Sequence, residues 1–381
     1  MDNDISLNQL SPFMNLELCD DVDYSPLTRS SSSPIFTTSA ALPNGKKITL
    51  LKSVLSSYCE KYCYYCPFRA GRDFSRYSFS PEAFAKLFMN LFKAGIVEGL
   101  FISSGIFHSG ITTQDKLLAV AEILRRRFQF QGYIHIKLMP GCEKSQVEHA
   151  INLANRVSIN LEAPNQERLK QLAPNKQFYE DLFLPLQWAK EIHSSISPRN
   201  FIKHSPSVSF TTQFVVGVSQ ESDLELLTTT NTLYKQIGIS RAYYSPFRPY
   251  PNTPLENHPP TPLLRQKRLY QASFLIRDYN FSLNELIFDN SHNLPLSQDP
   301  KIIWAEKNIL HTPIEINSSD PQMLLRIPGI GKKGVKAILA ARKQKTLTDL
   351  SMLAKLGIDI QRAAPYVLLN GKRQNYQLNL W

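Results

Sequence analysis

The stretch ITLLKSVLSSYCEKYCYYC, residues 48–66, joins an apolar, β-branched run to three closely spaced cysteines. The run over residues 48–55 is typical of a buried strand. The thiols follow it at Cys59, Cys63 and Cys66, three of the five cysteines in the chain. In a reducing compartment such clustering indicates metal or redox chemistry, because thiolates are soft ligands that suit iron–sulfur clusters and zinc. The stretch therefore predicts a cysteine-bound centre in the loop after the first strand.

A zinc site is the main alternative for these thiols. A structural zinc ion normally takes four ligands, and Cys19 or Cys142 would have to supply the fourth. Neither has a second cysteine or a histidine beside it at the usual spacing. A cluster held by only three thiolates instead keeps one iron open for a substrate or cofactor. The spacing therefore favours an iron–sulfur cluster over zinc.

Beyond this stretch, β-branched or aromatic runs alternate with longer segments of helical period. The candidate strands are residues 48–55, 99–103, 133–138, 157–161, 208–216 and 240–244. The candidate helices are residues 81–92, 115–128, 145–154, 178–193, 223–237 and 262–278. Such strand–helix units predict an α/β fold with a parallel sheet, either open and doubly wound or curled into a partial barrel. Sites in such sheets lie at the carboxyl ends of the strands.

The spacing Cys59-x3-Cys63-x2-Cys66, with the aromatic Tyr65 before the last cysteine, resembles the signature of the radical S-adenosylmethionine (SAM) enzymes. The resemblance implies a partial (β/α)6 TIM-like barrel. It also implies a 4Fe-4S cluster whose fourth iron binds the amino and carboxyl groups of SAM, and one-electron cleavage of SAM to a 5′-deoxyadenosyl radical. An electron donor such as flavodoxin or ferredoxin would supply that electron.

Further cofactor contacts are implied by the same resemblance. The family's motif at the end of the second strand is here Ser103-Ser104-Gly105 instead of the commoner Gly-Gly-Glu, so hydroxyls and backbone carbonyls would meet the methionine amino group. Polar residues of the fourth strand, and residues 213–217 with Glu221, resemble groups that bind the ribose, methionine and adenine parts of SAM. The predicted cofactor-binding residues are Tyr65, Ser103, Ser104, Gly105, Asn160, Glu162 and Gln213.

Other reactive or charged side chains fall near the same predicted edge. Cys142 follows the third strand, where its thiol could donate a hydrogen atom to a product radical. Because no basic residue adjoins it, an inert, semi-buried thiol is the alternative. Lys137, Arg69, Arg72 and Arg76 could hold a phosphate backbone or merely solubilise the rim.

The charge of the chain is uneven. It has 381 residues, 43 lysines and arginines against 32 acidic residues, and a formal charge of +11. Residues 1–44 carry −5, whereas residues 320–381 carry +8. A dense positive field favours a polyanionic partner, with a solvated lysine-rich surface as the alternative. With 43% hydrophobic residues and five cysteines, the composition excludes a wholly disordered protein and a disulfide scaffold.

Residues 328–331, Pro-Gly-Ile-Gly, separate two helical segments, and lysines open the second. Glycines allow close approach and a helix N-terminus offers unpaired N–H groups, so the segment predicts a phosphate-binding site. It resembles the helix-hairpin-helix motif of DNA repair and recombination proteins, and residues 349–364 resemble a degenerate second copy. The predicted DNA-binding residues are Pro328, Gly329, Ile330, Gly331, Lys332, Lys333 and Lys336. A hairpin domain that binds only protein is the alternative.

The predicted organisation has four parts. They are an acidic, disordered tail (1–44), the partial barrel (45–280), a connector packed on the barrel (281–316) and a small all-α helix-hairpin-helix domain (317–381). No run approaches the ~18 apolar residues that a membrane span needs, and the first residues do not resemble a secretory signal. We therefore expect a cytoplasmic protein without a membrane partner.

A radical SAM barrel followed by a helix-hairpin-helix domain resembles one family in particular, the radical SAM proteins of DNA modification or repair that are linked to a uracil-DNA glycosylase-like partner. The resemblance implies action on a nucleotide of DNA that the hairpin holds without reading its sequence. Two alternatives remain open: modification of a structured RNA such as transfer RNA, or a non-catalytic DNA-binding iron–sulfur protein.

Overall fold

The fold is described from a computed structural model over residues 37–41, 47–195 and 208–374. The chain divides into two compact units. The first contains Met1–Glu221 and Thr232–Thr261, and the second contains Ser222–Asn231 and Pro262–Trp381.

One curled sheet of seven strands forms the frame of the first unit. Its strands are β1 (Thr37–Ala41), β2 (Lys47–Val54), β3 (Gly99–Ser103), β4 (Tyr133–Lys137), β5 (Arg156–Glu162), β6 (Ser209–Val216) and β7 (Arg241–Pro246), and they neighbour one another in that order. β1 runs antiparallel to β2, and all later pairs are parallel. The six predicted strands are thus confirmed, and the curled parallel sheet agrees with the predicted partial barrel.

Helices follow the parallel strands of this unit. They are α1 (Pro81–Lys93), α2 (Gly110–Glu122), α3 (Lys144–Leu153), α4 (Gln166–Leu172) and α5 (Leu184–Ser195). α1 begins where the sequence indicates, because the Ser80 hydroxyl accepts a hydrogen bond from Ala83 N at 3.2 Å and Pro81 occupies the first position. π-helical turns extend α2 over Ile123–Arg127 and precede α5 over Phe178–Phe183.

The parallel register brings side chains of neighbouring strands to one edge of the sheet. Strands buried on both faces are mostly apolar, as in β3, where all five residues are buried. Polar residues concentrate near the carboxyl ends, at Ser103, Lys137, Asn160 and Gln213, and these side chains line one cavity. The fold therefore positions its site at the edge expected for parallel sheets.

Part of the segment predicted as a disordered tail is a strand. Thr37–Ala41 pairs with residues 47–51 of β2, and Ala40 packs against Ile48, Leu50 and Phe101. Its short Thr, Ser and Ala side chains give no amphipathic pattern, so the pairing is decided by the neighbouring strand and not by local sequence. The rest of the predicted tail lies outside the described residues.

The second unit is mainly helical but contains a small sheet. Its helices are α6 (Asp223–Thr232), α7 (Leu263–Tyr279), α8 (Pro300–Asn308), α9 (Pro321–Arg326), α10 (Lys332–Gln344), α11 (Leu350–Lys355) and α12 (Ile360–Ala363). Its strands are β8 (Ile314–Glu315), β9 (Val367–Leu369) and β10 (Lys372–Arg373), in the order β10-β9-β8. The prediction of an all-α domain is therefore wrong. The three strands have only two or three residues each, which is too short for a sequence period, and they pair residues 314–315 before the hairpin with residues 367–373 after it.

The core of this unit contains Leu324, Ile327 and Ile338, with Trp304 half-buried against it. The Trp304 ring lies 5.6 Å from that of Phe281, centroid to centroid. Within the described ranges, no helix of either unit is long and apolar enough to cross a membrane.

Candidate functional site

The three cysteines lie in a loop, residues 58–72, that packs tightly on the end of the sheet. Glu60 N donates a hydrogen bond to Ile106 O at 2.8 Å. A Cβ atom on Gly105 would collide with the carbonyl oxygen of Tyr58. Glycine at position 105 is therefore required for the close approach of this cysteine loop.

Two arginines brace the cysteine loop from within. Arg76 donates to four backbone carbonyl oxygens, those of Ser57, Phe68, Arg69 and Arg72. Arg72 donates to Pro251 O at 3.0 Å, and its guanidinium lies 4.8 Å from the ring centroid of Tyr250. Both partners belong to the proline loop, residues 246–260, after β7. Arg72 and Arg76 therefore bind backbone carbonyls and rings of the protein, instead of a phosphate backbone or solvent at the rim.

A cavity of about 380 Å³ opens at the carboxyl ends of the strands. Its wall includes all three cysteines of the loop and all residues predicted to bind the cofactor, namely Tyr65, Ser103, Ser104, Gly105, Asn160, Glu162 and Gln213. Apolar parts of the wall come from Phe68, Leu138 and Met139, and one side comes from the proline loop. The volume and the few convergent polar groups are typical of a small-molecule site.

A buried ion pair lies in this wall. Lys176 Nζ is 3.0 Å from Glu162 Oε1, and the two side chains are 7% and 6% exposed. Burial alone would lower the pKa of Lys176, but the opposing charges of Cys63 and Glu162 raise it, so the amine stays charged. Burial and the neighbouring Glu162 likewise raise the pKa of the Tyr65 hydroxyl, which stays protonated.

Glu162 ends β5 in an unusual backbone conformation. Its φ is +66°, and the register between β5 and β6 shifts between Asn160 and Glu162. A non-glycine residue in this region costs free energy, and a bulge of this kind re-aims the side chain relative to a regular strand. Asn160 and Glu162 both line the cavity.

The thiols of the cysteine loop are candidate metal ligands. Burial raises the pKa of Cys63 and of Cys66, and the charges of Cys63 and Cys59 raise the latter further, so a bound metal must displace protons. In the described part of the chain, no three His, Cys, Asp or Glu side chains are arranged to share one metal ion. The three cysteines line one cavity, as the ligands of a single iron–sulfur cluster must.

A second hollow of about 270 Å³ borders the cysteine loop. Its wall includes Tyr58, Tyr62 and Phe107, which are 41%, 49% and 37% exposed. Of the described residues, Cys59 alone lines both this hollow and the larger cavity. The residue therefore separates the interior cavity from an exposed aromatic surface.

Cys142 lies apart from this wall. It is 5% exposed and does not line the cavity, although Met139 and Pro140 do. Burial and the charge of Asp181 raise the pKa of its thiol to about 12, whereas its own backbone hydrogen bond lowers it. Its role as a hydrogen-atom donor stays a prediction.

Three basic residues of the cavity wall escaped the site prediction, namely Lys61, Lys176 and Arg248. Lys61 lies inside the cysteine motif, and this position could have predicted that it lines the site. Lys176 lies in a turn after α4, and Arg248 lies in the proline loop. Neither segment has a helical or strand period in its sequence from which the direction of a side chain could be predicted. Lys137, predicted at the rim, does line the cavity.

In the second unit, the predicted hairpin joins α9 to α10. Gly329 has φ +81°, and a Cβ atom there would lie 2.5 Å from the carbonyl oxygen of Asp359. Pro328 and Ile330 are buried, and Ile330 O accepts a hydrogen bond from the buried Lys301 Nζ at 2.7 Å. This part of the predicted DNA-binding set therefore packs inside the unit.

The lysines after the hairpin differ in their surroundings. Lys332 Nζ lies 3.0 Å from Asp278 Oδ1. Partial burial raises the pKa of Asp278, but hydrogen bonds and charges from Arg277 and Lys332 outweigh it and the net shift is downward. Lys333 and Lys336 are exposed and have no ion pair among the residues the structure describes. They are the cations of this motif that a ligand could reach directly.

Comparison with known proteins identifies one domain. Residues 53–203 match the model of the Radical SAM superfamily. No curated protein sequence matches the chain.

Among solved structures, methylornithine synthase is 15% identical with a TM-score of 0.46, over 72% of this chain and 66% of that one. The FeFe-hydrogenase maturase HydG from Carboxydothermus hydrogenoformans is 16% identical with a TM-score of 0.44, over 59% and 50%. A radical SAM methyltransferase from Sphaerobacter thermophilus is 13% identical with a TM-score of 0.44, over 63% and 70%. The match spans about half the length of the HydG structures.

The matched segment contains the cysteine loop and most of the cavity wall, including Ser103–Gly105, Asn160 and Glu162. The part of the chain that contains the site therefore matches the Radical SAM superfamily, whose cofactors are a 4Fe-4S cluster and SAM.

Proposed function

We propose that this protein is a radical SAM enzyme that acts on DNA, to modify a nucleotide or repair a lesion. Cys59, Cys63 and Cys66 would bind the cluster. SAM would be bound by Tyr65, Ser103, Ser104, Gly105, Asn160, Glu162 and Gln213. The observation that carries the proposal is that these residues, from separate segments of the chain, line one cavity.

When bound, the cluster and SAM supply a 5′-deoxyadenosyl radical. The residues of this chain would bind and orient SAM and shield the site from water. Lys176 balances the charge of Glu162 and holds that carboxylate in the wall. The apolar side chains of Phe68, Leu138 and Met139 exclude water from the same space, which protects a reactive intermediate from side reactions.

DNA as the substrate is supported by the hairpin of the second unit. Lys333 and Lys336 are exposed in the first turns of α10, whose N-terminal N–H groups have no capping side chain. A helix N-terminus with adjacent cations suits a phosphate. Contacts to two or three phosphates give a salt slope of only about −2 to −3, so the hairpin alone binds weakly and the barrel must add contacts.

The surface around the hollow outside Cys59 suits an electron donor with an acidic surface, such as flavodoxin or ferredoxin. Arg69 lies 5.9 Å from the Tyr62 ring and Lys116 Nζ 5.8 Å from the Phe107 ring. Aromatic side chains with neighbouring cations are complementary to an acidic partner. Cys59 lines both this hollow and the cofactor cavity, so its side chain lies between the donor surface and the site of the proposed cluster.

The function is tested on the reconstituted full chain. With dithionite and SAM, we expect 5′-deoxyadenosine, measured by mass spectrometry, and an increase when DNA is added. Mass spectrometry of nucleosides from cells with and without the protein should reveal the altered nucleotide. If no 5′-deoxyadenosine forms, the protein is a non-catalytic iron–sulfur protein. If transfer RNA competes more strongly than DNA, the substrate is RNA instead of DNA.

The donor surface is tested with a Tyr62→Ser/Phe107→Ser variant. The ratio of flavodoxin-driven to dithionite-driven 5′-deoxyadenosine formation should fall about tenfold or more, since exposed aromatics are common hot spots. Ile96→Ser, which also changes an exposed apolar residue of the first unit, is the matched control. An unchanged ratio in the double variant would refute this surface.

A further inference from the structure

We propose that the exposed face of α10 binds the phosphates of one DNA strand along the length of the helix, through a lysine stripe formed by Lys333, Lys336 and Lys343. The inference rests on the proposed function and deepens it, because it extends the contact from the hairpin to the far end of α10. Lys343, in the last turn of the helix, is the residue that it adds.

The charged side chains of α10 are all positive. Its 13 residues, KKGVKAILAARKQ, include five cations and no acidic residue. A solvated surface helix is usually stabilised by oppositely charged residues three or four positions apart. α10 has no such pair, so nothing within the helix neutralises these cations.

Two of the five cations are bound by the protein. Lys332 Nζ lies 3.0 Å from Asp278 Oδ1. Arg342 donates hydrogen bonds to the backbone oxygens of Ile316 and Ser319, at 3.2 and 2.7 Å. The three cations of the lysine stripe are exposed, and their side chains make no hydrogen bond or ion pair to any other residue that the structure describes. They are therefore free to bind a ligand.

The lysine stripe lies on one side of the helix. With about 100° of rotation per residue, positions 333, 336, 340 and 343 fall within an arc of about 80°. The buried Val335 and Ile338 lie on the opposite side and pack in the core of the second unit. The one residue of this arc that is not a lysine is Ala340, whose short, exposed side chain leaves room for a strand to lie close.

The length of the lysine stripe suits several phosphates. At about 1.5 Å of rise per residue, Lys333 and Lys343 are about 15 Å apart along the helix axis. A strand of duplex DNA advances about 3.4 Å of axis per phosphate, so a strand that follows the stripe passes about four phosphates. Contacts to phosphates carry no sequence information, which agrees with a domain that holds DNA without reading it.

An acidic protein is the other polyanion to consider, and the composition of the face argues against it. Protein interfaces are depleted in lysine and have an apolar or aromatic centre. The arc of the lysine stripe contains three lysines and one alanine. Lysine side chains and helix N-termini are instead the usual contacts to DNA phosphates.

The first test measures how the affinity of the full chain for a labelled DNA duplex of mixed sequence depends on salt. Each phosphate contact that is lost reduces the slope of log K against log salt by about 0.9. We expect Lys343→Gln to reduce the slope by this amount, as Lys333→Gln should at the hairpin. The matched control is Lys307→Gln, which removes an exposed cation of α8 in the same unit and should leave the slope unchanged.

A structural role of Lys343 has a different signature. A lysine in the last turn also stabilises a helix through the helix dipole. Thermal midpoints are therefore measured for each variant. A lower midpoint of Lys343→Gln with an unchanged salt slope would overturn the proposal.

The second test adds a contact. Ala340→Lys fills the gap in the lysine stripe and should increase the salt slope by about 0.9. Ala354→Lys adds the same charge at an exposed position of α11 and is the matched control. Equal slopes in these two variants would overturn the stripe, because added charge alone would then explain the effect.

The outcomes separate this inference from the proposed function. If Lys333→Gln reduces the slope and Lys343→Gln does not, the stripe is refuted and the hairpin contact stands. Stronger competition by an RNA duplex of the same sequence would overturn DNA as the ligand. If DNA does not increase the yield of 5′-deoxyadenosine, the proposed function is refuted, whereas reduced slopes in both variants still support the stripe.

Discussion

The cofactor cavity and the hairpin were each predicted from one short motif, but the structure uses the two motifs differently. In the cavity, the predicted cofactor residues all reach the same wall. In the hairpin, Pro328 and Ile330 are buried and Gly329 packs on the segment at Asp359, which leaves Lys333 and Lys336 exposed. A metal cluster requires ligand side chains that converge, whereas the residues of a turn between two helices must first pack within their own unit.

The largest effect is expected at the cavity. Changing Cys59, Cys63 and Cys66 together to Ala should abolish bound iron and sulfide, because no other described cysteine lines the cavity. Elemental analysis of reconstituted protein measures this. Cys142→Ala is the control and should retain the cluster. A triple variant that keeps its iron would break the assignment of the cavity.

The next effect concerns the buried ion pair of the cavity wall. Lys176→Met leaves the Glu162 carboxylate buried without its partner at 3.0 Å, and we expect a loss of about 3–5 kcal/mol of unfolding free energy in denaturant titrations. Lys170→Met, at an exposed position of α4, should cost little. The double variant Lys176→Met/Glu162→Gln should recover much of the loss. A loss below about 1 kcal/mol in the single variant would show that the pair is solvated.

A smaller effect separates the two glycines of the hairpin. Gly329→Ala introduces a side chain at φ +81° against the carbonyl oxygen of Asp359, and should cost about 1–3 kcal/mol of stability. Gly331, at φ −109°, would place its Cβ 3.1 Å from the movable Tyr279 hydroxyl, so Gly331→Ala should cost less than about 1 kcal/mol. Thermal unfolding compares them. Equal losses would contradict the distinction between a packed and an accessible glycine.

The smallest effect is expected at Asp278, which forms ion pairs with Arg277 and Lys332. These residues are partly exposed, so Asp278→Asn should cost at most about 1 kcal/mol at neutral pH. The folded pKa of Asp278 is below 3.8, so the stabilisation is present above pH 3.8 and is lost as the pH falls through the folded pKa. Thermal midpoints of the two proteins should therefore converge in acid. A constant difference across pH would assign the effect to packing.

The strands and the cysteine loop were predictable because both depend on short-range patterns. An apolar run places β3, the alternation Ile-His-Ile-Lys places β4, and the spacing of Cys59 and Cys63 needs no tertiary information. The pair Lys176–Glu162 and the strand β1 were not predictable. Lys176 lies in a turn without a period, and β1 gains its order from pairing with β2. Gly329 was predicted to allow close approach to a phosphate, but its packing against Asp359 also requires a glycine at this position.

The contact between Arg72 and Pro251 also has a consequence for biosynthesis. The two residues are 179 positions apart, and the cysteines precede Arg72. During synthesis the three thiols leave the ribosome well before β6, β7 and the proline loop exist to form the opposite wall. The cavity is complete only after residue 251 has emerged. A cluster site with all of its walls therefore exists only late in synthesis, and until then the three thiols face whatever surrounds the nascent chain.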